Sequence, residues 1–203
     1  MLDTPYIVLD TETTGLDPDK GARLIEVAAA RWYKGACVGR FSCLVKQDEA
    51  AYVNSARALK KNGLSREFVE GAGVSRLAAY RGLHVFTEDA AFVVAHNAGF
   101  DQAFVAVEAE VAGQRETLRG IPWVCTQALA WGRFGQRALS LKAAAAALDI
   151  EQLASHRAAA DVHVTGHVFL RLVTDGGYTT VAGLVERSDR WRVEVRAHFG
   201  RSR

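Results

Sequence analysis

The most constraining feature of this sequence is a change of hydrophobic period along the chain. Pro5 opens an apolar run, residues 6–9, that reads as a buried strand ended by Gly15 and the Asp17-Pro18-Asp19 turn. Residues 23–33 and 36–45 read as two more strands, joined at Lys34-Gly35 in a hairpin. From there the period turns helical. One helix is expected from a cap at Asn54 to Lys61, stopped by Gly63, and a second over residues 74–82. A short strand at 92–95 precedes a helix capped by Asn97, with Phe100, Phe104, Val107 and Val111 at helical spacing. A fifth strand at 121–124 leads into a helix from Thr126. Ser140 caps an Ala-rich helix with Leu141, Ala145 and Leu148 on one stripe, and residues 157–173 form the longest helical pattern. Three strands followed by strands alternating with helices predict an α/β protein with a mixed sheet.

Residues 1–175 therefore read as one domain, with no repeat or linker inside it. Gly176-Gly177 marks off a C-terminal appendage, 176–203, expected to be helical and basic. The formal net charge of +2 does not by itself announce a nucleic-acid partner. Yet six Arg lie between Arg187 and Arg203 against Asp189 and Glu194, so the appendage is either a phosphate- or partner-contacting patch or a solvated terminal face. Cys37, Cys43 and Cys125 form no C-x-x-C pair and read as reduced core residues. No apolar stretch approaches the ~18 residues of a membrane span, and the first residues lack the pattern of a secretion signal. The expectation is a soluble, cytoplasmic protein with no membrane partner.

Four carboxylates stand where a core would not ask for them. Asp10 and Glu12 end the first strand, and a period of two puts both on the face of Tyr6 and Val8. Two like charges there repel and lose hydration, and a cation is the simplest compensation. Asp161 shares a helix face with Val164, Val168 and Leu172, so it too needs a metal or a donor. Arg157 and His163 are its neighbours in sequence, and neither clearly shares its face. Asp101 falls in a first helical turn, where the macrodipole favours an acid, and at the C-terminal end of a strand, where open α/β sheets place their sites. His156 precedes the last long helix, a position common for surface or capping residues, but its spacing to Asp161 lets both face one cleft. His163 and His167 stand at i and i+4, yet no Glu follows His163, and they read as ordinary helix residues.

Three segments now line up. Asp10-Thr11-Glu12-Thr13-Thr14-Gly15-Leu16, then His96-Asn97-Ala98-Gly99-Phe100-Asp101, then His156 with four residues before Asp161, resemble the three motifs of the DEDD exonuclease superfamily. The His in the third motif resembles the His subclass, the DnaQ-like proofreading exonucleases. The resemblance covers about residues 5–173 and departs at none of the five active-site positions.

It implies an RNase H-like fold with a five-stranded mixed sheet flanked by helices. It implies hydrolysis at nucleic-acid 3′ ends with release of nucleoside 5′-monophosphates, and two Mg²⁺ or Mn²⁺ ions. Hard cations take oxygen ligands, and two of them can clamp both oxygens of an in-line displacement. The expected ligands are Asp10, shared by both ions, Glu12 and Asp161 completing the first, and Asp101 serving the second. His156 is the expected general base. By the same resemblance Thr13, Gly15 and Leu16 hold the 3′-terminal nucleotide, with Leu16 against the base, and His96, Asn97 and Phe100 line the opposite wall. Phe100 is equally suited to packing on Phe104. DNA is the expected substrate, in proofreading or repair. The alternatives are an RNA-trimming exoribonuclease or oligoribonuclease, and a subunit that docks on a polymerase through its C-terminal tail. A second copy of the chain is a further partner to consider.

Overall fold

The computed structural model describes residues 2–135, 140–151 and 157–201. Strand β1 (Tyr6–Thr13) runs past the apolar segment and carries Asp10 and Glu12 inside the sheet. It pairs antiparallel with β2 (Leu24–Tyr33), which pairs antiparallel with β3 (Ala36–Leu44). On its other side β1 pairs parallel with β4 (Val93–Ala95), and β4 with β5 (Trp123–Cys125). The order β3-β2-β1-β4-β5 is the five-stranded mixed sheet expected from the sequence. The β2–β3 hairpin closes through Lys34 (φ 51) and Gly35 (φ 77), two left-handed residues whose twist matches the strands they join.

Eight helices flank the sheet among the described residues: α1 (Ala56–Asn62), α2 (Arg66–Ala72), α3 (Arg76–Thr87), α4 (Ala98–Val111), α5 (Thr126–Phe134), α6 (Leu141–Ala147), α7 (Ala158–Gly176) and α8 (Val181–Arg201). The alternation of β1 sorts the core into two layers. Tyr6 and Val8 pack with Val164, Val168 and Leu172 of α7. Ile7 and Leu9 pack with Leu83 of α3 and Phe104 and Val105 of α4. The Tyr6 ring stacks on Phe92 at 5.0 Å and meets the edge of Phe169 at 5.2 Å. Gly166 lets α7 lie directly against the Trp32 indole of β2, because a Cβ there would overlap the ring.

Several local expectations differ. Ser55, not Asn54, occupies the cap position of α1, and Asn54 lies in the left-handed region at φ 63. Gly63 ends that helix at φ 65, as expected. The helix expected over 74–82 is α3, and an unexpected helix, α2, precedes it; each is capped by a serine. Ser65 accepts the Phe68 N–H at 3.1 Å, and Ser75 accepts that of Ala78 at 3.2 Å. Of α2 only Val69 is buried, so it has no apolar stripe to read.

On α4 the buried face is Asp101, Phe104, Val105, Glu108 and Ala109, not the stripe through Val107 and Val111. Val111 is 51% exposed and Glu108 is 0% exposed. Glu108 can be buried because Arg76 of α3 brings a charge to 2.8 Å, Arg23 approaches to 3.8 Å and Gln47 donates at 3.3 Å. Ser140 caps α6 by accepting the Ala143 N–H at 3.1 Å.

The C-terminal segment forms α8, which packs on α5 and along β5. Its Ser188 hydroxyl, fully buried, accepts the backbone N–H of Cys125 at 2.8 Å and so satisfies a donor on the sheet's outer strand. The three cysteines are free. Among the described residues no helix is long and apolar enough to cross a membrane.

Candidate active site

The site lies at the end of β1, where the two layers part. Asp10 and Glu12 continue the Tyr6–Val8 face and point toward α7, which presents Asp161 from its first turn. The three carboxylates each offer an oxygen, all within 4.8 Å of one another. Asp101 arrives from the other layer. It lies in the first turn of α4, is 2% exposed, and accepts a hydrogen bond from the Thr11 hydroxyl at 2.8 Å. Thr11 alternates to the Ile7–Leu9 face, so one stretch of β1 grips acids on both sides of the sheet.

Burial and mutual repulsion disfavour the charged forms. Desolvation, then the charges of Asp101, Glu12, Asp161 and Glu26, raise Asp10 well above the ordinary carboxylate range. Glu12 is pushed up to about 7 by desolvation and by Asp161 and Glu26, against smaller opposing effects of Lys61 and an Asn62 hydrogen bond. Desolvation raises Asp101 to about 7 even though hydrogen bonds from Thr11 favour its charged form. No salt bridge reaches Asp10 or Glu12 among the described residues. Converging hard oxygen donors suit a divalent cation, and Asp10, Glu12 and Asp161 are the residues that would hold it.

A cleft of about 700 Å³ opens over this floor. Ten of the eleven residues expected in the site line it: Asp10, Glu12, Thr13, Gly15, Leu16, His96, Asn97, Phe100, Asp101 and Asp161. The eleventh, His156, lies outside the described residues. Leu16 is 86% exposed, an apolar side chain left in solvent at the rim. The loop behind it is fixed: the Thr13 hydroxyl donates to the Gly15 carbonyl at 2.6 Å, and Thr14 Oγ1 accepts the Arg23 N–H at 2.8 Å. Opposite, His96 Nδ1 is 3.0 Å from the Thr126 hydroxyl, and Phe100 both lines the cleft and packs on Phe104 with ring centroids 4.8 Å apart. His163 and His167 pack together at 4.6 Å, and His167 meets Trp32 edge-on.

Sequence reasoning missed a third wall. Helix α1 lines the cleft with Arg57, Ala58, Lys61 and Asn62, joined by Asn54. Asn62 is 2% exposed, bonds Glu12 and donates to the Thr13 carbonyl at 3.4 Å. Its burial carries no local signal, since a polar residue before Gly63 reads as a helix end. Glu26 was also passed over, although an acid inside the apolar run of β2 was visible. Glu26 stands opposite Glu12 in the sheet register. Arg157, a sequence candidate to meet Asp161, grips Glu26 with Nε at 3.2 Å and Nη2 at 3.0 Å. The Ala158 N–H adds a longer bond at 3.4 Å, so the start of α7 is tied to β2.

Residues 7–169 match the family model described as Exonuclease. The chain belongs to the DEDD, DnaQ-like family of 3′→5′ exonucleases. Members of this exonuclease family use divalent metals, in keeping with the carboxylate cluster. The exonuclease is 32% identical over 173 residues to the PolC-type DNA polymerase III of Thermotoga maritima, covering 84% of this chain and 12% of that protein. It thus spans about an eighth of that relative. It is 31% identical over 199 residues to ribonuclease T of Haemophilus influenzae, covering 89% of this chain and 86% of that one. Its fold is that of exonuclease X, solved with 5′-overhanging duplex DNA, at a TM-score of 0.68 and 22% identity over 90% of this chain and 99% of the other.

Proposed function

We propose that this exonuclease removes nucleoside 5′-monophosphates one at a time from DNA 3′ ends, with two Mg²⁺ or Mn²⁺ ions held by Asp10, Glu12, Asp101 and Asp161. The observation that carries the reading is the convergence of Asp10, Glu12 and Asp161 from β1 and α7 on the floor of a cleft long enough for a strand end. When bound, the cations supply charge stabilisation to the phosphoryl oxygens and to the attacking and leaving oxygens.

The chain's own residues do the rest. Leu16 and Phe100 grip the terminal base and sugar by apolar contact, which tolerates any sequence. Thr13, Gly15, His96 and Asn97 shape the two walls around that nucleotide. His156 takes the proton of the attacking water on its imidazole, as the His subclass would have it. Asn62 holds Glu12 in place.

RNA is the second reading, favoured by the likeness to ribonuclease T along most of that protein's length. The deciding experiment digests labelled single-stranded DNA and RNA 3′ ends side by side with Mg²⁺, Mn²⁺ or EDTA. Wild type is expected to shorten DNA from the 3′ end with either metal and to stop in EDTA, and Asp161→Ala to be inert. Equal cutting by Asp161→Ala sinks the site, and faster cutting of RNA moves the substrate. His156→Ala is expected to lose most of kcat while retaining metal binding, and a wild-type rate removes His156 as the base.

A further inference from the structure

The α1 wall is the part of the cleft that the family motifs leave unassigned. Arg57 and Lys61 stand four residues apart on this helix, about 6 Å along its axis. Both are exposed and both line the cleft that holds the carboxylates. Lys60 lies on the same helix, is also exposed, and does not line it. The charge on this wall is therefore directed inward rather than scattered. No carboxylate lies within salt-bridge distance of Arg57 or Lys61 among the described residues, whereas Arg23, Arg76 and Arg157 are each engaged by a buried acid. Lys61 is near enough for its charge to oppose the upward shift of Glu12.

We propose that Arg57 and Lys61 form a phosphate-binding rail that holds the phosphodiester backbone upstream of the scissile bond. The proposal rests on the nuclease reading above. A 3′-terminal nucleotide carries one phosphate, the scissile one, and that phosphate belongs over the carboxylate floor. Any other phosphate in the cleft comes from nucleotides upstream. A strand entering over a floor of acids meets repulsion, and two uncommitted cations one helical turn apart offset it without reading sequence. Long side chains on an exposed wall can follow a strand that moves by one nucleotide after each cut. The rail therefore acts on binding of the strand, with little share in the chemical step.

The test compares two substrates in the full chain with Mg²⁺. One is an oligothymidylate. The other is the p-nitrophenyl ester of thymidine 5′-monophosphate, which has a scissile diester and no upstream phosphate. Arg57→Ala and Lys61→Ala are each expected to raise KM for the oligonucleotide about tenfold, the size of one charge-assisted hydrogen bond to a phosphate. Each is also expected to flatten the slope of log KM against log salt by about 0.7. The loss on the small ester is expected to be at least several-fold less than on the oligonucleotide. Lys60→Ala, which removes a cation outside the cleft, should leave both slope and KM near wild type. Equal losses on the two substrates, an unchanged salt slope, or an equal effect of Lys60→Ala overturns the rail. Normal cutting of the small ester by those variants, with selective loss on the oligonucleotide, supports it. If wild type cleaves neither substrate, the nuclease reading falls first and the rail falls with it.

Discussion

Two groups of acids lie against the same sheet, one buried and one half-buried, and meet opposite fates. Glu108 of α4 is fully enclosed and has Arg76 at 2.8 Å, with Gln47 and Arg23 around it. Glu26 is likewise held by the fork of Arg157. Asp10 and Glu12 lie close to Glu26 in the sheet, yet no salt bridge reaches them among the described residues, and both are pushed toward the protonated form. Among the described residues the fold supplies arginines to two buried acids. At the end of β1 it gathers acids without that supply. The first kind of acid ties elements together, and the second forms the candidate metal site.

The comparison can be broken first at its catalytic end. Asp10→Ala should lower kcat/KM by roughly 10³-fold or more, because the cation clamp and its charge stabilisation go together. The same variant should melt no lower than wild type in EDTA, since it relieves a repulsion. A marked fall in Tm without metal contradicts the distinction.

At the structural end, Glu108→Ala leaves Arg76 partly buried without its acid. A loss of about 3 kcal/mol in urea unfolding is expected, with turnover per folded molecule retained. Glu26→Gln tests the case in between. It weakens the fork on Arg157, which is about half exposed, so the stability cost should be only about 1 kcal/mol. Loss of anchorage next to His156 should nevertheless lower kcat about tenfold, since misplacement far from the chemistry is costly. Stability loss with an intact kcat would move Glu26 wholly into the structural group.

The smallest effect is on pH. An unfolded Glu12 titrates near 4.5, and the folded one near 7. The metal-free native state thus binds more protons in that window, and its stability falls as pH rises through it. Metal-free Tm should decline between pH 4.5 and 7, and added Mg²⁺ should oppose the decline near and above neutrality. A Tm that rises across the window reverses the sign assigned to Glu12.

Much of this was legible in the chain. Asp161 on an apolar helical stripe and the Asp10–Glu12 pair announced a cluster of carboxylates, and Lys34-Gly35 announced the hairpin. What stayed hidden has a common physical cause. Glu108 looks like a surface residue until Arg76 arrives from another helix, so the buried face of α4 differs from the one its apolar residues suggest. Arg57, Lys61 and Asn62 sit on a short helix with no motif of its own, and only tertiary packing brings them over Glu12. Helix α2 buries one side chain and leaves no period to find. Local pattern reveals where the chain opposes itself, as with acids on core faces. It is silent where distant segments resolve the opposition.

The bond from the Cys125 N–H to Ser188 gives α8 a second duty. A β-strand at the margin of a sheet is a template on which another molecule's backbone can polymerise. Here α8 packs against β5 and takes one of the donors on that margin, the Cys125 N–H. Cutting the chain at residue 176, the obvious way to ask whether the tail recruits a partner, would therefore uncover β5 and free its Cys125 N–H for another backbone. Self-association of the shortened protein would then be an artefact of the cut. Partner recruitment is better tested with single substitutions at solvent-facing positions such as Val193, which is 68% exposed and can change without uncovering the sheet.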